Sequence, residues 1–97
     1  MSDFTVARTI ISQINAIDPM AFAAWGAKEK TYSDSMFRFK SSGMTRWKGY
    51  VEIQYNSGSD MYDIKFFRIR NRSVKVDKEV DGVCVPELVR VIDSQVG

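Results

Sequence analysis

An α+β domain of two layers, a four-stranded antiparallel meander packed on an N-terminal and a C-terminal helix, is the fold this sequence predicts, in the order α-α-β-β-β-β-α. Three observations carry it. Apolar residues near the start recur at three- and four-residue steps, the period of an amphipathic helix. Further on, Trp47, Val51, Ile53 and Tyr55 alternate with Lys48, Tyr50, Glu52 and Gln54 at the two-residue period of a pleated strand. The strand-like runs are joined by short links, so neighbours in sequence pair antiparallel while the helical stripes cover one face of the sheet.

Phe4, Ala7, Ile10, Ile11, Ile14 and Ile17 form the first stripe, and Ser2 or Asp3 can cap its start. Asp18 followed by Pro19 predicts a second start, a carboxylate cap ahead of a proline at the first helical position, and a short helix through Met20, Phe22 and Trp25. Gly26 suits the left-handed residue that ends it. Residues 27–33 read as a polar link. Phe37 and Phe39 then alternate with Met36, Arg38 and Lys40, giving a first strand with both phenylalanines inward, and Ser41, Ser42 and Gly43 supply its turn.

The second strand, about Arg46 to Tyr55, has Gly49 on its inward side, where the missing side chain admits a helix or marks a bulge. Asn56, Ser57, Gly58, Ser59 and Asp60 make the next loop. The third strand, about Met61 to Arg70, breaks its own alternation: Tyr62, Ile64 and Phe66 share one face, whereas Phe67 and Ile69 fall on the other. Either a bulge resets the phase there or the second face is partly covered too. Asn71 and Arg72 suit a two-residue hairpin turn, since asparagine tolerates the left-handed region. Val74, Val76 and Val80 give the fourth strand, with Ser73, Lys75 and Asp77 outward and Asp81 and Gly82 ending it. Pro86 and Glu87 open a closing helix in which Leu88, Val89 and Ile92 lie together, and Asp93, Ser94 and Gln95 lead to a frayed end.

At 97 residues and 44% apolar content the chain suits one compact domain spanning residues 1–97. The single cysteine, Cys84, cannot form an internal disulfide, which fits a reducing compartment. Among Val83, Val85 and Pro86 it reads as a small buried apolar residue rather than a reactive thiol. The apolar stretch from Met20 to Trp25 is far below the roughly 20 residues a bilayer-spanning helix needs, and no basic-then-apolar leader precedes it, so a soluble, cytoplasmic protein without a membrane partner is expected. Histidine is absent, which removes the commonest general base and metal ligand together. No catalytic residue, metal, cofactor or small-molecule substrate is expected.

The formal charge is only +2, but its distribution is uneven. From Arg38 to Lys78 ten bases face four acids, whereas the flanks hold four bases and eight acids, so the strands are net +6 and the flanks net −4. On the face away from the helices, Arg38, Lys40, Lys48 and Lys65 would interleave with Tyr50 and Phe67. Such a surface suits single-stranded nucleic acid, with rings stacking on bases and cations tracking phosphate. It equally suits a solvated face whose cationic stems cover Tyr50. As a third reading, Phe67 and Ile69 form the apolar centre of a protein contact. Arg68, Arg70 and Arg72, one every second residue, would repel one another unless a phosphate, a carboxylate, or Asp77, Glu79 or Asp81 of the adjoining strand balances them. Asp60 and Asp63 invite an acid–base reading, yet beside a serine and glycine loop they better serve to cap the turn.

Trp25 and Gly26, Phe37 and Phe39, Trp47 to Gly49, Asp60 with Tyr62 to Ile64, and Leu88 to Asp93 together give a pattern. It resembles small uncharacterised proteins encoded by bacteriophages and integrated mobile elements of gut bacteria. The resemblance implies a bacterial or phage cytoplasmic protein that works through binding, and it assigns a role to no single residue. The leading functional expectation is therefore a non-enzymatic interaction module that engages a protein partner or a second copy of itself through the sheet. The rival expectation is a nucleic-acid-binding module using the basic and aromatic face.

Overall fold

The computed structural model describes residues 5–42 and 45–97. Phe4, the caps Ser2 and Asp3, and the turn residue Gly43 lie outside them. The elements run α1 (Thr5–Ile17), α2 (Ala21–Trp25), β1 (Ala27–Tyr32), β2 (Met36–Ser41), β3 (Gly49–Asn56), β4 (Met61–Arg70), β5 (Ser73–Val83), a single 3₁₀ turn (Val85–Glu87) and α3 (Leu88–Val96). The sheet is antiparallel with strand order β1-β2-β3-β4-β5, an α+β arrangement with helices at both ends of the chain and five strands where the sequence predicts four.

The extra strand is the segment that reads as a polar link. β1 has no apolar alternation because it is an edge strand whose order is imposed by backbone pairing to β2, and Glu29 and Lys30 bulge opposite the single residue Phe39. In the helices and in β2 to β4 the apolar periods place the core correctly. Ala7, Ile10 and Ile14 of α1, Ala21 and Trp25 of α2, and Leu88, Ile92 and Val96 of α3 meet Phe37, Phe39, Val51, Ile53, Tyr62, Ile64, Phe66 and Val83 of the sheet. Ile17, the last residue of α1, is the exception in its stripe and is left 42% exposed. Two side-chain bonds tie the elements together, the first between α2 and α3 and the second between β4 and α1. The Trp25 indole donates to Asp93 at 3.2 Å, and the Tyr62 hydroxyl, its pKa raised by burial, lies 2.7 Å from the Gln13 amide oxygen.

Asp18 does use its carboxylate as a local acceptor, but from Met20 N–H at 3.0 Å, so α2 begins two residues beyond the proline. Gly26 ends α2 at φ 61°, as its type requires. Trp47 precedes β3 rather than belonging to it. Its N–H bonds the Val96 carbonyl at 3.2 Å, and Arg46 reaches the Ser94 carbonyl at 2.8 Å, so the C-terminus of α3 is pinned rather than frayed. The Trp47 ring packs on the core edge-on to Phe66 and fills the space over Gly49, where a Cβ would sit 2.6 Å from it. Cys84 is exposed, not buried, because Val83 is the inward residue at the exit of β5 and the next side chain turns out.

The phase question in β4 has a clear outcome. β3 and β4 pair without a slip, so Phe66 lies on the helix side and Phe67 on the other; the second face is the one partly covered. The irregularities belong to β5. Lys78 opposes Phe66 and Val76 opposes Phe67, leaving Asp77 as an extra residue; Asp81 and Gly82 together oppose Asp63. Gly82 takes φ 68°, and its N–H reaches Asp63 at 3.1 Å, so Asp81 and Gly82 bulge the strand rather than end it. These offsets overturn the expected phase of the last strand. Val80 and Val83 stay with the core, but Val74 and Val76 stand opposite Ile69 and Phe67 on the open face, while Asp77 turns toward Trp47. Asn71 and Arg72, at φ 51° and 65°, close the β4–β5 hairpin as the tight turn predicted for them.

Candidate binding surface

Register sorts the open face into rows, because directly opposed residues of antiparallel strands share a face. One row runs Arg38, Glu52, Lys65 and Glu79 across β2, β3, β4 and β5 with alternating sign. Arg38 lies 3.8 Å from Glu52 and Lys65 lies 3.9 Å from Glu79. Half-exposed pairs like these are worth roughly 0–1 kcal/mol each, yet they neutralise two of the predicted binding cations. The next row runs Lys40, Tyr50, Phe67 and Val76. Tyr50 and Phe67 stack with centroids 5.3 Å apart at 14°, Lys40 sits 5.7 Å over Tyr50, and Arg38 lies 6.0 Å over Phe67. Phe67 is only 5% exposed as a result. The last row, Ile69 opposite Val74, is bare: these two side chains are 54% and 62% exposed, and neighbouring Val76 is 43% exposed.

The three arginines at two-residue spacing part company. Arg68 turns to the Asp77 carboxylate, with Nη2 3.1 Å from Oδ1 and Nε 2.7 Å from Oδ2 but off line for a second hydrogen bond. Asp77 also accepts from the Trp47 indole at 2.9 Å, and the Arg68 and Trp47 bonds together hold its carboxyl below the usual range. Arg70 continues toward the hairpin end and Arg72 occupies the turn itself; both are exposed.

At this end a notch of about 410 Å³ opens, lined by Lys40, Lys48, Tyr50, Arg68, Ile69, Arg70 and Lys75 around Gly49. Its cause is a difference in strand length. The β3–β4 pairing starts at Tyr50 opposite Phe67, whereas β4 runs on through Arg68, Ile69 and Arg70 with partners on β5 only. Five cations and no acid line it, and Lys48, Arg70 and Lys75 form no ion pair among the described residues. Of the predicted face, the notch therefore gathers Lys40, Lys48, Tyr50, Arg68 and Arg70, and leaves Arg38, Lys65, Phe67 and Arg72 outside. Lys75 and the bare valines were not selected from the sequence, because one phase carried through Val74, Val76 and Val80 sets all three valines inward, whereas the turn pairs Val74 with Ile69 and Val76 with Phe67 and the Asp77 bulge changes the phase only before Val80.

The acidic pair does not converge. Asp60 accepts the Tyr55 hydroxyl at 2.6 Å, raising the Tyr55 pKa, while Asp63 accepts from Gly82 N–H; the two carboxylates line different depressions. Among the described residues no group of three or more metal-ligating side chains comes together, and no helix is long and apolar enough to cross a membrane. No protein-family model, curated protein or solved structure matches the chain.

Proposed function

We infer that this chain is a non-enzymatic interaction module that binds a protein partner through the open sheet face, at the end formed by the β4–β5 hairpin. The observation that supports this reading is the bare aliphatic group of Ile69, Val74 and Val76, which adjoins the Tyr50–Phe67 stack. Contiguous apolar surface of this kind, rimmed by charge, is the usual signature of a protein contact, and hydrophobic burial rewards covering it at about 25 cal/mol per Å². The resemblance to bacteriophage and mobile-element proteins supports a module of this kind working in a bacterial cytoplasm.

Nucleic-acid binding by the same face has weaker support. Arg38 and Lys65 are neutralised within the charge row, and Tyr50 and Phe67 present ring faces to each other rather than to a base. The test is selection from a random dodecapeptide library on the folded protein, with the double variant Ile69→Glu, Val74→Glu as counter-selector after its thermal melt has been matched to wild type. Peptides retained by wild type and lost by the variant are expected. Failure of any sequence to enrich over the variant overturns the reading.

A further inference from the structure

Resting on that reading, we propose that the notch beside the β4–β5 hairpin takes an acidic peptide segment, its carboxylates meeting Lys48, Arg70 and Lys75 and an aliphatic side chain covering Ile69 and Val74. Charge complementarity chooses the occupant. Arg68 is balanced by Asp77 and Lys40 lies 3.7 Å from Glu29, but Lys48 and Arg70 form no ion pair among the described residues, and Lys75 has only the longer-range pull of the same Asp77 carboxylate. Lys75 also stands directly opposite Arg68, so two cations share the one carboxylate of Asp77 and the local charge stays positive.

The same charges disfavour a second copy of the chain, since a two-fold contact at this end would set Arg70, Arg72 and Lys75 against their own equivalents. A nucleic-acid strand would satisfy the cations but not the rest of the surface. The bare side chains are branched aliphatics, and the one ring lining the notch, Tyr50, already stacks on Phe67. An extended peptide supplies both halves, because alternate residues of a strand point to opposite sides and can present acids and aliphatics in turn. The stretch Arg68–Arg70 also has an unpaired edge on its β3 side, which suits a short backbone contact that fixes the peptide's direction.

The measurement is fluorescence anisotropy with labelled probes: a ten-residue peptide of alternating Glu and Leu, the same peptide with Gln for Glu, the same with Ser for Leu, and a ten-nucleotide oligothymidine. The Glu–Leu peptide is expected to bind wild type, with the Gln and Ser versions each about tenfold weaker or more. Lys48→Glu with Arg70→Glu should weaken the Glu–Leu peptide by a similar factor, Ile69→Ser should abolish the advantage of Leu over Ser, and Arg8→Glu on the exposed side of α1 should change nothing. Lys48, Arg70 and Ile69 are solvent-facing, and a matched melt establishes that each variant is folded. Equal binding of the Gln peptide, tighter binding of oligothymidine than of the Glu–Leu peptide, or no binding of any probe overturns the inference. Neutral peptides emerging from the library selection alongside such a result would sink the acidic occupant and spare the protein-binding reading; an empty selection would sink both.

Discussion

The β3–β4 and β4–β5 seams share a strand yet behave differently. Along the first, seven consecutive pairs run from Tyr50–Phe67 to Asn56–Met61 without a slip, so parity alone tells which face each side chain occupies. Along the second, the pairing slips twice, and each slip changes which residues of β5 face the helices. The cause is position in the sheet. β3 is held by neighbours on both edges, whereas β5 has one free edge and can expel a residue sideways without breaking a second ladder. The regular seam builds the core, and the irregular one divides its valines: the two-residue turn sets Val74 and Val76 opposite Ile69 and Phe67, and the bulge at Asp77 returns Val80 to the core side and aims a carboxylate at Trp47 and Arg68.

Phe66 and Phe67 measure the contrast most directly, because they are adjacent in sequence and buried on opposite faces. Phe66→Ala should cost about 3–5 kcal/mol in urea unfolding, transfer plus a cavity that helices and sheet enclose. Phe67→Ala should cost about 1.5–3 kcal/mol, the burial term without an enclosed cavity, since Tyr50 and Arg38 can collapse onto the open face. Equal costs would mean that the outer face is as closed as the core.

Gly49→Ala comes next. A Cβ there would lie 2.6 Å from the Trp47 ring and 2.8 Å from the Phe67 carbonyl oxygen, so the ring must move, at about 1–3 kcal/mol. Trp47→Leu removes the obstruction, and in a double-mutant cycle the cost of Gly49→Ala should shrink on that background. Unchanged cost would show that the backbone contact, not the indole, requires glycine.

What was legible in the sequence follows the same division. Phe37, Phe39, Val51, Ile53, Ile64 and Phe66 announce themselves by a two-residue period because their strands lie in the regular part of the sheet. Asn71 marks its turn because few residues accept a left-handed backbone. β1 stays silent, since an exposed edge needs backbone partners and not apolar side chains. The basic face was legible as composition but not as chemistry. Which cations are spent depends on cross-strand register, and Arg38 and Lys65 find glutamates only because the strands align them. The notch depends further on where β3 stops while β4 runs on, and that is not written in residue type.

The smallest effect expected is also the one that tests the bulge by itself. Asp77 is ionised in an environment that favours the charge: Arg68 and the Trp47 indole bond it, and its pKa is depressed below that of an unfolded-chain aspartate, about 3.9. A depressed folded-state pKa contributes stability that is present above the unfolded value and is lost as pH falls through the folded one. Asp77→Asn should therefore lower the melting temperature modestly at pH 7, and the gap to wild type should close as the pH is taken from about 4 downward, because protonated Asp77 and asparagine are then equally uncharged. The Trp47 indole N–H resonance of the wild type should move in the same pH window and stay still in the variant. A gap that persisted at low pH, or an indole signal indifferent to acid, would mean that the carboxylate is incidental and that Asp77 is extruded from β5 for want of any other place to go.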